Sequence, residues 1–155
     1  MNVCNPNDKT VIDVKGSLAF KGTAALGRGT KITVNKGCEM ILGGYFKVSG
    51  YSSFVCKNKI TFGENVLFGW ECLTMDGDGH KIFDENNEKL QSVKPIEIGD
   101  NVWVGCRCSI LKGSVISSNC VIGANTLITG QRFEPGSVIV GNPPKVMKKI
   151  SRWEL

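Results

Sequence analysis

The sequence predicts an all-β fold in which short strands wind into stacked, three-sided coils, and three observations predict it. An apolar residue returns at every sixth position through Ile98, Val104, Ile110, Ile116, Ile122 and Ile128. A mostly small or moderate side chain stands two positions before it, as at Thr30, Val66, Cys72, Val102, Cys108, Ser114, Cys120 and Thr126. Glycine often follows it, as at Gly27, Gly63, Gly69, Gly99, Gly105, Gly123 and Gly141. Neither the helical period nor the two-residue alternation of an isolated strand produces a spacing of six, whereas a structural repeat does.

The same rhythm runs upstream through Val14, Phe20, Leu26, Ile32 and Cys38, and again through Cys56, Phe62, Phe68 and Thr74. Three such strands close one coil of eighteen residues. About six coils at roughly 4.8 Å apart make a prism somewhat under 30 Å tall. The chain has 155 residues, 41% of them hydrophobic, which suits one domain over residues 1–155 with a narrow ordered core.

Residues 1–13 are polar and are expected to cap the first coil and protect its edge. Between residues 43 and 55 Gly44 and Gly50 fall on apolar positions, so packing there must come from Phe46, Val48 or Phe54, and the register stays open. Residues 80–97 have the length of one coil but place His80, Asn86 and Ser92 at inward positions, where unpartnered polar groups are costly. This segment is therefore expected to leave the prism as a long protruding loop, a kind of element that often carries function. In the tail, residues 143–155, the spacing of Val146, Met147, Ile150 and Trp153 predicts a short amphipathic helix folded back on the last coil.

With these motifs in hand, the chain resembles the hexapeptide-repeat acyltransferases over about residues 14–152, most strongly in PIEIGDNVWVG, VIGANTLIT and VGNPPKVMKKI. The resemblance implies a left-handed parallel β-helix, an exception to the usual right-handed crossover. It further implies direct transfer from acetyl-CoA without an acyl-enzyme, and a homotrimer in which one subunit's histidine faces the coenzyme groove formed with the next. The DGDGH context, with coils starting almost at once, looks most like the small O-acetyltransferases of sugar and surface-polysaccharide pathways.

His80, the only histidine, matches the family's general base, which requires a neutral imidazole within about 2.6 to 3.2 Å of the attacking hydroxyl or amine. Asp76 and Asp78 beside it either shape Asp-Gly turns or serve the site. Asp78, two residues away, is the candidate to orient the ring, and Asp76, with Trp70, a candidate substrate contact. The resemblance places coenzyme contacts at Trp103, Gly105, Gly123, Ala124 and Thr129, and phosphate contacts at Lys145 and Lys148.

Composition excludes other classes. One histidine and no CxxC argue against a metal site, and the +5 net charge comes without a recognition helix, zinc finger or aromatic-basic pattern for nucleic acid. No apolar run approaches a membrane span, which makes the cytoplasm the expected compartment. Seven cysteines is an odd number, and Cys38, Cys56, Cys72, Cys108 and Cys120 fall on inward positions, as reduced packing residues would. Two competing readings remain: N-acetylation of an amino sugar or nucleotide sugar, and a noncatalytic scaffold or sugar-binding module.

Overall fold

The computed structural model describes residues 7–154, and every regular element in it is a strand. Six coils of three strands follow one another. The first is β1 (Val11–Val14), β2 (Ser17–Phe20) and β3 (Ala24–Leu26); the second β4 (Lys31–Val34), β5 (Glu39–Leu42) and β6 (Phe46–Gly50); the third β7 (Ser53–Cys56), β8 (Lys59–Phe62) and β9 (Leu67–Trp70). The fourth is β10 (Leu73–Met75), β11 (Ile96–Ile98) and β12 (Trp103–Val104); the fifth β13 (Ser109–Leu111), β14 (Val115–Ile116) and β15 (Val121–Ile122); the sixth β16 (Leu127–Thr129), β17 (Arg132–Phe133) and β18 (Ser137–Val140). A last strand, β19 (Lys145–Lys149), completes the set. Every third strand pairs in parallel with the one before it, giving three sheets that form the faces of a left-handed prism. The first face begins with β1, the second with β2 and the third with β3.

Eighteen residues separate paired positions only in the later coils, as at Ile110 and Ile128 or Val104 and Ile122. The earlier coils are longer: Val34 pairs with Cys56 and Phe20 with Leu42, each twenty-two residues on. Cys38 therefore does not stack on Cys56 and is only half-buried, whereas Cys56, Cys72, Cys108 and Cys120 are buried. Longer coils enclose a wider interior, and phenylalanine fills it. Phe46, Phe54, Phe62 and Phe68 pack with ring centroids 5.0–5.9 Å apart, mostly edge-to-face, the arrangement the ring quadrupole favours. The narrower coils above are filled by Ile96, Ile98, Ile110, Ile116, Ile122 and Ile128. Phe46, Val48 and Phe54 do supply the packing that Gly44 and Gly50 cannot, which settles the register of that stretch.

The corners repeat as well. At the edge between second and third faces, Asn65, Asn101 and Asn119 take positive φ, and their amides form a ladder with two 2.8 Å bonds. Asparagine tolerates this conformation, but Tyr51, Glu71 and Arg107 adopt it too at the next edge, held by their coils' backbone bonds.

Three expectations are corrected at the boundaries. Val11–Val14 is already a strand paired with β4, so the expected cap over residues 1–13 is shorter; residues 1–6 lie outside the described residues. The excursion spans residues 76–95, not 80–97, because Ile96 and Ile98 resume the core opposite Ile60 and Phe62. It is a hairpin, bridged at Gly77 to Val93 and Phe83 to Lys89. The helical tail expected over residues 143–155 is absent. Lys145–Lys149 instead adds antiparallel to β18, leaving Val146 and Met147 exposed, because that strand's open edge offers backbone partners an isolated short helix lacks. Among the described residues no helix is long and apolar enough to cross a membrane.

We expect Phe54→Ala to cost about 3–5 kcal/mol, the usual penalty for removing a buried ring from a packed cluster, measured by urea unfolding. A loss below about 1 kcal/mol would show that the wide coils are not held by the phenylalanine cluster.

Candidate functional site

Stacking coils about 4.8 Å apart leaves little room beyond the backbone where a chain turns from the third face to the first. A Cβ placed on Gly105 would stand 2.8 Å from the Ala124 nitrogen, and one on Gly123 would stand 2.7 Å from a Val140 methyl. Glycine is demanded there by the next coil, independent of any ligand, and the bare edge it leaves forms the floor of a cleft.

That cleft has a volume of about 560 Å³ and is lined by Leu67, Trp70, Trp103, Gly105, Gly123 and Ala124, with Cys106 and Trp153 among its other walls. All three tryptophans of the chain stand around it. Trp70 and Trp103 are 52% and 43% exposed, large surfaces for rings with no internal partner on their outer side. Trp153 folds back across the third face: its indole donates a 2.7 Å hydrogen bond to the Asn101 carbonyl, and its ring lies 6.1 Å from Trp103. The amide ladder through Asn101 thus fixes the position of a side chain from the tail.

Buried thiols lie inside the coils. Burial, then the nearby Asp76 carboxylate, pushes the Cys56 thiol up to about 12. Hydrogen bonding to Cys72 and burial push the Cys108 thiol up as well. The Cys72 and Cys108 sulfurs, behind the cleft, are packing groups whose S–H contacts reach the Gly105 and Gly123 carbonyls, each at 3.1 Å, while Cys56 reaches the Glu39 carbonyl and the Asp76 carboxylate.

The other sequence-derived candidates stand at the edge between the first and second faces. His80 lies exposed on the outgoing limb of the hairpin and makes no hydrogen bond among the described residues. Asp78 is paired with Lys112, whose ammonium also donates to the Gln91 carbonyl at 2.9 Å, so Asp78 ties the hairpin root to the next coil. Asp76 is buried, and its carboxylate accepts from the backbone nitrogens of Lys57 at 2.6 Å and Asn58 at 2.9 Å. Its oxygens are engaged in holding the turn after β7, a different turn from the Asp-Gly turn weighed from the sequence. Thr129 is exposed on this same edge, beside Leu111, and not on the cleft. Lys145 opposes Val140 and Lys148 opposes Val138, both exposed on β19 at the margin of the third face, outside the cleft lining.

Within one chain, then, the structure unites Trp70, Trp103, Gly105, Gly123 and Ala124, and separates them from His80, Asp78, Asp76 and Thr129 by the width of the first face. Sequence reasoning missed Trp153 and Cys106 as cleft residues and Lys112 as the partner of Asp78.

The pattern of the bacterial transferase hexapeptide family, six repeats, matches residues 95–130, the six strands β11–β16 that make up two coils' worth of the most regular part of the prism. The six repeats over residues 95–130 are those of the hexapeptide-repeat transferase family. This hexapeptide-repeat chain is 32% identical over 117 residues to the galactoside O-acetyltransferase of Escherichia coli (strain K12), a match covering 74% of the chain and 56% of that protein. It spans about half the length of the curated relatives it matches. Among solved structures, a galactoside acetyltransferase in complex with coenzyme A superposes with a TM-score of 0.70 at 26% identity, over 87% of this chain and 65% of that one. The polysialic-acid-specific acetyltransferase NeuO gives a TM-score of 0.73 at 23% identity, over 94% and 77%, and shows the shared fold.

We expect Asp76→Ala to lose about 1–3 kcal/mol of stability, since two backbone N–H groups lose their acceptor. Asp78→Asn should leave global stability within about 1 kcal/mol, as loss of a partly exposed ion pair does, while speeding amide exchange across residues 79–92. Equal effects of the two changes would contradict the separate roles of these carboxylates.

Proposed function

We propose that the protein is an acetyl-CoA-dependent O-acetyltransferase acting on a sugar or surface-polysaccharide precursor, with His80 as general base. The observation that carries this reading is the apolar, tryptophan-walled cleft along a glycine edge, with an unpaired histidine presented on a rigid hairpin at the neighbouring edge. A long, mostly apolar ligand arm suits such a floor, because backbone can approach it closely where no Cβ intervenes. The galactoside enzyme it resembles acts on a sugar, and the related structure holds coenzyme A, which supports both halves of the proposal.

The proposed chemistry follows from what the imidazole can do. A neutral His80 accepts the proton of the acceptor hydroxyl as that oxygen attacks the thioester carbonyl, and the imidazolium then returns the proton to the departing sulfur. No covalent intermediate on the protein is required. Asp78 acts through position: clamped by Lys112, it fixes the hairpin root two residues before His80 and so restricts where the ring can reach.

One chain holds the base and the cleft on different edges. In a homotrimer the hairpin of one subunit would face the cleft of the next and bring them together. The exposed Ile82, Phe83 and Leu90 on the hairpin supply apolar surface for such a contact. Lys145 and Lys148, at the margin of the third face, are placed as point charges for the coenzyme's phosphates.

The test is thiol release from acetyl-CoA against a panel of sugars, with His80→Ala alongside. Acceptor-dependent release should fall by about a hundredfold or more in the variant, as loss of a general base predicts. Normal turnover without His80 would overturn the assignment of the base. With three tryptophans around the cleft, coenzyme A binding should change intrinsic fluorescence. The double change Lys145→Gln and Lys148→Gln should weaken that binding about three- to tenfold at low salt, in line with exposed ion pairs. Unchanged affinity would return both lysines to an ordinary solvated face.

A further inference from the structure

Around His80 lies a recess of about 190 Å³, lined by Lys57, Gly79, His80, Lys81, Lys89, Ser92 and Val93. Three separate pieces of chain each contribute a lysine to its lining: the turn after β7, the outgoing limb of the hairpin and the returning limb. Lys57 is the most constrained of the three. Its backbone is held by Asp76, its stem lies 3.1 Å from where a Cβ on Gly77 would stand, and its Nζ lies 3.4 Å from the same point on Gly79. Gly79 has φ +82, a conformation that favours glycine, and a side chain there would meet the lysine's ammonium at contact distance. The lysine is thereby laid along the strip Gly77–Gly79, with its charge beside the residue preceding His80.

None of the three lysines has an ion-pair partner among the described residues, and the nearby carboxylates are engaged elsewhere. Asp76 is bound to backbone amides and Asp78 to Lys112, while Asp84 accepts from Asn86 and Glu88 nitrogens at the hairpin tip. Glu85 and Glu88 are exposed at that tip, outside the recess lining. Like charges gathered without counter-charge repel one another, so the arrangement leaves an electrostatic demand that hydroxyl groups alone do not meet.

We propose that this recess selects an anionic acceptor, a sugar bearing a carboxylate or a phosphate, and places its hydroxyl at His80. The inference rests on the acetyl-transfer reading for its catalytic consequence, but the anion preference stands on the lysines alone. The coenzyme's own phosphates are an unsuitable occupant, because the full pantetheine arm must separate them from the thioester that reacts beside His80.

Binding and turnover are measured separately on the intact protein, comparing trigalacturonate with maltotriose and glucose 1-phosphate with glucose, by calorimetry and by thiol release. At low ionic strength at least one anionic member should bind about tenfold or more tightly than its neutral counterpart, and salt should erode the difference. Which pair shows it distinguishes carboxylate from phosphate. The combined variant Lys57→Met, Lys81→Gln, Lys89→Gln should lose that preference, with KM for the anionic acceptor raised about tenfold and KM for acetyl-CoA changed less than about twofold. The methionine keeps the stem that packs along Gly77, and circular dichroism checks that the variant is folded. Equal binding of charged and neutral sugars, a preference that survives in the variant, or a raised KM for acetyl-CoA in its place would each overturn the proposal. A retained, lysine-dependent anion preference without thiol release from any acceptor would confirm the recess while refuting acetyl transfer.

Discussion

Everything in this molecule follows from the requirement that one coil's backbone hydrogen-bond to the next at strand spacing. That single distance decides which residues may stand at the corners, because any side chain there has to fit above and below itself. Glycine at positions 105 and 123, the asparagine ladder at 65, 101 and 119, and small hydroxyl or thiol groups at 52, 72, 108 and 126 are solutions to the same problem. The cleft is a by-product of this constraint: an edge kept bare for stacking is also an edge that an extended ligand can lie against.

The hairpin shows how a long excursion can be inserted without disturbing the stack. Leu73 to Met75 pair with Ser53 to Val55 below and with Ser109 to Leu111 above, although twenty residues of excursion intervene before β11. The root is tied down by Asp76 to one coil and by Asp78 and Lys112 to another. Two carboxylates that look alike in the sequence thus hold opposite sides of the same junction. His80 is carried on a segment tied at its root to two coils, and the stack remains free to provide the cleft.

The sequence made the later coils readable because their spacing is constant, so Ile98 through Ile128 could be placed inward by counting. It was less informative where coils lengthen. Extra residues at the corner before β5 break the count without changing composition, and Cys38, counted as inward, is therefore only half-buried. The tail was misread because Val146, Met147, Ile150 and Trp153 have helical spacing, while the deciding influence, the open edge of β18, exists only after folding. Trp103, Gly105, Gly123 and Ala124 were legible through the family resemblance, but Trp153 was not, since its contact with Asn101 spans 52 residues. The pairing of Lys112 with Asp78 could have been found by excising the loop and stacking Leu111 on Met75, which brings Lys112 beneath the hairpin root.

The antiparallel course of β19 has a consequence for assembly. A prism of parallel coils presents at each end an array of unsatisfied backbone groups in the same register as its interior, and in principle a second molecule could continue it as a fibre. On the third face β19 runs against that direction with a shift in register between Val138 and Ile139, and it carries Lys145, Lys148 and Lys149 on its exposed length. An incoming parallel strand finds reversed polarity and positive charge there. On that face the last strand therefore disfavours end-to-end continuation of the stack by a second molecule.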